Sequence, residues 1–134
     1  MAKLTEIEGI GVAHSQKLQE AGIGSTEKLL EKGASPQGRK EIAEKTGVSE
    51  KQVLRWANMA DLFRIKGIGE EYADLLEAAG VDTVPELSQR NPENLHSKLA
   101  EINEEKKLVR RVPNQAEVGG WVEQAKQLPR ALTY

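Results

Sequence analysis

The chain carries the same supersecondary unit twice. Leu4-Thr5-Glu6-Ile7-Glu8-Gly9-Ile10-Gly11 returns as Leu62-Phe63-Arg64-Ile65-Lys66-Gly67-Ile68-Gly69, and from Gly9 to Gly67 the offset is 58 residues. At the same spacing Leu18 meets Leu76, Ala21-Gly22-Ile23 meets Ala79-Gly80-Val81, Ser25 meets Thr83 and Leu29 meets Leu87. A period this long marks a duplicated supersecondary unit rather than a fibrous or low-complexity pattern.

With 134 residues, the chain makes one ordinary domain or two very small ones. Hydrophobic residues are 38% and charged residues 30%, a soluble globular balance, and with only two Trp, two Tyr and one Phe any core is built mostly of Leu, Ile, Val and Ala. Formal charge is −2. Up to Asp61 there are 9 basic and 9 acidic residues, and beyond it 10 and 12, so neither half carries a strong positive field and nucleic-acid binding would need a local basic patch. The absence of cysteine excludes disulfides and thiolate metal sites and fits a reducing compartment. No signal-peptide core and no apolar run of about 18 residues is present, so a cytoplasmic protein without membrane contact is expected.

Stop and start signals divide each copy into short helices. Gly22 and Gly24 end the pattern from Val12 to Ala21, and Ser25 starts the next. Ser35-Pro36 and Asn91-Pro92 are N-caps followed by proline. Ser49 with Gln52, Thr83 with Glu86 and Asn114 with Glu117 read as capping boxes. The last helix of each copy aligns at a longer offset, Trp56 with Trp121, which places seven extra residues within Asn103 to Pro113. The expectation is an all-α chain of two tandem five-helix units, residues 1–61 and 62–134, packed rigidly together.

The repeated apolar-Gly-apolar-Gly core between helical patterns is the hairpin of a helix-hairpin-helix. Glycine lets the backbone reverse with positive φ and approach a ligand closely. The amides that open the following helix, with the helix dipole, then form an anion site that holds a phosphate without reading sequence. The first hairpin offers Gly9, Ile10 and Gly11 with Lys17 one turn on, although Glu8 opposes an anion. The second offers Lys66, Gly67 and Gly69, but Glu70 and Glu71 follow at once and satisfy the dipole internally. The same glycines also suit a tight turn that touches only protein.

Within the insertion Lys106 and Arg110, like Lys107 and Arg111, are four apart, so on a helix they form one basic face. Glu104 and Glu105 partly neutralise it, and a merely solvated face is the competing reading. Trp56 and Trp121 are expected in the core. His14 and His96 are expected at the surface or its boundary, and neither has a partner at metal-ligand spacing. No nucleophile motif, phosphate-cradling loop or distinctive pair of acids is present. The expectation is therefore no enzyme, no metal, no cofactor and no small-molecule substrate.

The stretch Leu4 to Leu62 resembles the small N-terminal helical domain of archaeal and eukaryotic RecA-class recombinases. The residues that carry this are the Gly-x-Gly hairpin, Lys17-Leu18-Gln19-Glu20-Ala21-Gly22, Thr26 to Leu30 and Gly47-Val48-Ser49. That resemblance implies a five-helix, SAM-like fold that contacts DNA or partner proteins. Over nearly its full length the chain is similar to a bacterial family, domain of unknown function 4332. It shares the family's Glu8-Gly9-Ile10-Gly11, the run from Trp56 to Gly67 and Arg90 to Leu95. This similarity implies fold and carries no activity.

Two functions remain open at this stage. One is sequence-independent DNA binding through the first hairpin, Lys17, Lys66 and the Lys106–Arg111 face. The other is a protein-interaction or scaffold module that uses the same helices.

Overall fold

A computed structural model describes residues 3–7 and 9–134. Glu8, the acid set against the first hairpin, lies outside the described residues. The chain is all-helical, with no strand among the described residues. It divides into two compact units, residues 1–63 with 131–134, and residues 64–130.

The first unit opens with a 3-10 turn, Leu4–Glu6, followed by α1 (Val12–Glu20), α2 (Thr26–Lys32), α3 (Pro36–Thr46) and α4 (Glu50–Leu62). The second contains α5 (Glu70–Ala78), α6 (Val84–Ser88), α7 (Pro92–Lys106) and α8 (Gln115–Gln127). It thus has four helices where five were expected. The segment matching the opening turn is the end of α4 with Phe63 to Ile65.

The repeated Leu-x-x-Ala-Gly stretch closes α1 and α5 in the same way. Gly22 and Gly80 adopt φ of +87° and +90°. The Ile23 amide donates to the Leu18 carbonyl at 2.8 Å and the Val81 amide to the Leu76 carbonyl at 2.8 Å, the long bond of a Schellman close. Leu18, Ile23, Leu76 and Val81 are all buried, so the close also delivers its flanking apolar side chains to the core. Each such side chain contributes about 1.5–3 kcal/mol when fully buried.

The cap pairs locate the difference in length. α6 is two residues shorter than α2, α7 is four longer than α3, and the connection from α7 to the Asn114 cap is five longer than that from α3 to Ser49. The seven extra residues are thus nine gained and two lost. The expected basic helix is corrected by the same comparison. α7 stops at Lys106, and Lys107 closes it in the left-handed region at φ +51°, where α3 has Gly47 at φ +76°. Residues 107–113 then form a structured loop. The Asn103 side chain accepts from the Val109 amide at 2.9 Å and donates to its carbonyl at 3.2 Å, and Val109 and Pro113 are buried. With Arg110 and Arg111 off the helix, their four-residue spacing from Lys106 and Lys107 sets no common face.

The four C-terminal residues belong to the first unit. The Thr133 amide donates to the Ala34 carbonyl at 2.8 Å, and Leu132 is buried. Arg39, only 5% exposed, donates to the Gly33 carbonyl at 2.8 Å and the Thr133 carbonyl at 2.7 Å.

Candidate nucleic-acid interface

In both copies the first glycine of the turn sits on a tryptophan. Gly9 and Gly67 have φ of +93° and +96°, values that suit glycine alone without strain. A Cβ on Gly9 would lie 3.5 Å from Trp56 Nε1, and one on Gly67 only 2.9 Å from Trp121 Nε1. Both indoles are buried, as expected of core residues. Each is also met by a ring from the first helix of its own unit. His14 lies 5.2 Å from Trp56 and Tyr72 lies 5.2 Å from Trp121, tilted in both cases. His14 and Tyr72 hold the same repeat position, an equivalence hidden by comparing the two histidines with each other.

The side chains of Ile10 and Ile68 are buried, so neither covers the glycines of its turn. The second glycines, Gly11 and Gly69, cap α1 and α5 with no side-chain hydrogen bond, and a Cβ on either would meet nothing within 4 Å. The other six α-helices are each capped by Ser, Thr or Asn accepting from a first-turn amide. Glycine at an N-cap costs only a few tenths of a kcal/mol against Ser or Asn, so what sets these two starts apart is that no side chain accepts from their first-turn amides. Lys17 is exposed in the last turn of α1.

What borders the turns differs between copies. In the first unit, a Cβ on Gly9 would have Arg55 Nη1 at 3.3 Å and Gln52 Nε2 at 3.7 Å, besides the indole nitrogen. At the matching positions of α8 stand Gly120 and Glu117. Glu117 receives both guanidinium nitrogens of Arg111, at 2.7 and 2.9 Å, and its carboxyl is lowered to about 2, chiefly by that hydrogen bond and then by its bond to the Asn114 amide. Arg111 is correspondingly held charged by the Glu117 hydrogen bond. Its carbonyl accepts from Tyr72 Oη at 3.1 Å. In the first unit no such loop exists, and His14 Nδ1 and Trp56 Nε1 are buried with no hydrogen-bond partner.

The second turn is also clamped from beneath. Gln124 accepts from the Lys66 amide at 3.0 Å and donates to the Lys66 carbonyl at 3.2 Å, leaving the Lys66 side chain exposed. The matching residue of α4 is Met59. Glu70 and Glu71 occupy the first turn of α5.

The sequence-derived candidates therefore fall into separate groups. Gly9, Ile10, Gly11 and Lys17 belong to the first unit, and Lys66, Gly67, Gly69, Lys106, Lys107, Arg110 and Arg111 to the second. Arg111 is committed to Glu117, while Lys106, Lys107 and Arg110 are exposed. Sequence reading missed Gln52 and Arg55. Their signal was the Trp56–Trp121 alignment, which sets them against Glu117 and Gly120. Among the described residues there is no cluster of three or more potential metal ligands, and no helix is long and apolar enough to cross a membrane.

Residues 8–128 match the DUF4332 family, a domain of unknown function. The chain belongs to that family. No solved structure matches it.

Proposed function

We propose that this DUF4332 chain is a non-enzymatic, sequence-independent nucleic-acid-binding protein, built from two SAM-like units that each present a helix-hairpin-helix. Its ligand is the phosphate backbone of DNA. The observation that carries the reading is the pair of bare helix starts. Six α-helices satisfy a first-turn amide with a capping side chain, while the two that follow the glycine hairpins have no such cap and open space at the capping glycine. Bare amides at the positive end of a helix hold phosphate oxygens, and glycine permits close backbone approach. Lys17, in the last turn of α1, adds positive charge to the first unit, and Lys66, Lys106, Lys107 and Arg110 add it in the second.

A second reading, a protein-interaction module, is favoured by the second unit. There Glu70 and Glu71 already occupy the helix start, and Glu117 neutralises Arg111.

The test is Gly11→Asp combined with Gly69→Asp. Aspartate is a preferred cap, and its side chain has open space at both sites, so the variant should fold at least as stably as the parent. It also lays a carboxylate over the amides. Fluorescence anisotropy with labelled duplex DNA at low salt should show binding by the parent, weakened by added salt, and its loss in the variant. Absence of parent binding at roughly 100 μM protein, where nonspecific binders still register, would overturn the nucleic-acid reading in favour of the protein module.

A further inference from the structure

The two hairpins are not equivalent ligand sites, and the difference lies on the helix beneath each of them. Around Gly9 three nitrogen donors of α4 converge: the Arg55 guanidinium, the Gln52 amide and the Trp56 indole, at 3.3, 3.7 and 3.5 Å from the position a Cβ would take. The indole nitrogen is fully buried and has no acceptor. A buried donor left without an acceptor costs about 1–3 kcal/mol, so the arrangement calls for an acceptor at this hairpin. His14, in the first turn of α1, adds a second buried nitrogen with no partner. All of these groups lie next to the bare start of α1, a nine-residue helix with no acid in its first turn. Around Gly67 the corresponding residues are Gly120 and a carboxylate already engaged by Arg111, and α5 starts with two glutamates.

We infer that the anion site of this protein is the first hairpin alone, with Arg55 and Gln52 of α4 acting as phosphate-binding side chains alongside the α1 amides, and that the second hairpin is a structural copy. The inference rests on the nucleic-acid reading above and deepens it, since it names which hairpin binds and adds two residues from outside the hairpin. A guanidinium meets a phosphate with two parallel N–H donors, a stronger contact than a lysine point charge provides. Arg55 is half-buried on a rigid helix, so it reaches the hairpin with little loss of side-chain freedom.

The experiment uses the full chain in two assays. Inorganic phosphate is titrated at constant ionic strength while the two indole N–H resonances are followed by NMR. Duplex DNA binding is measured in parallel for the parent, Arg55→Gln, Gly11→Asp and Gly69→Asp. The expected result is a saturable shift of the Trp56 resonance with the Trp121 resonance unmoved. Arg55→Gln should weaken DNA binding about tenfold and lower the salt dependence by about one phosphate contact. Gly11→Asp should abolish binding, and Gly69→Asp should leave it intact.

DNA binding that survives Gly11→Asp, that is as tight in Arg55→Gln as in the parent, or that is lost equally in Gly69→Asp, overturns this inference while leaving the nucleic-acid reading standing. Failure of the parent to bind DNA overturns both. The indole spectrum of each variant, compared with that of the parent, separates lost contact from lost fold.

Discussion

Gly9 and Gly67 share a backbone conformation, a buried tryptophan and an aromatic neighbour from the following helix, yet α4 and α8 surround them differently. α8 ties its turn to its own unit: Trp121 is packed tightly against Gly67, Gln124 clamps Lys66, and Glu117 with Arg111 anchors the inserted loop. α4 offers Met59, Gln52 and Arg55 at those places and leaves the indole nitrogen without a partner. Duplication has kept what packs the turn and changed what borders it. A repeated motif therefore identifies a repeated fold element, while its chemistry must be read from the residues that did not repeat.

The strongest way to break this comparison is to add one methyl group to each turn. In Gly67→Ala the new Cβ meets a buried, immovable indole at 2.9 Å, and φ of +96° penalises any side chain. Strain and overpacking together should cost about 3 kcal/mol. In Gly9→Ala the nearest atom is the far end of Arg55, at 3.3 Å, which can move aside. Only the backbone penalty remains, about 1–2 kcal/mol. Urea denaturation followed by tryptophan fluorescence measures both. Equal losses would mean that the two turns are packed alike.

The next contrast is between Arg39 and Leu95, which the cap pair Ser35 and Asn91 places at the same position. Both are buried, but Arg39 spends its guanidinium on the Gly33 and Thr133 carbonyls and so holds the tail in the first unit. Arg39→Leu installs the residue of the second copy and removes hydrogen bonds to a charged donor, for an expected loss of about 2 kcal/mol. The Thr133 amide, which donates to Ala34, should lose its protection in hydrogen exchange. Unchanged protection there would show that Leu132 alone seats the tail.

Much of this was legible in the sequence because the signals are local. The glycine that ends a helix, the serine or asparagine that begins one, and the proline behind it act within a few residues. So Ser25, Ser35, Thr83, Asn91 and Asn114 marked their helices, and Trp56 and Trp121 marked the core. The errors arose where partners are distant along the chain. The four-residue spacing of Lys106 and Arg110 imitates a helix face, but Asn103 folds back onto Val109 and Lys107 takes the left-handed conformation. Arg39 meets Thr133 across 94 residues, and Tyr72 meets Arg111 across 39, contacts that no periodicity announces. The donors around Gly9 come from α4, more than forty residues away in sequence, and carry no motif.

The smallest expected effect separates the two units by pH. Glu117 titrates near 4.5 when free and about 2 in the folded chain, because the Arg111 hydrogen bond and the Asn114 amide favour its charged form. A lowered folded value means the stabilisation is complete above pH 4.5 and is lost as pH falls towards 2. The pair is solvent-exposed, so the change should be modest and should shrink with salt. Asp82 acts in the opposite sense, since burial raises its carboxyl and folding therefore favours its neutral form. Comparing the parent with Glu117→Gln cancels the Asp82 contribution and isolates the pair. Thermal midpoints measured between pH 5 and pH 2 should fall less steeply in the variant. Glutamine is also what the first unit carries at this position, as Gln52, so the substitution makes the second copy resemble the first. If the variant kept the full acid dependence of the parent, the Arg111–Glu117 pair would not be what distinguishes the second copy at low pH, and the anchoring of the inserted loop would have to be assigned to Asn103 and Tyr72 instead.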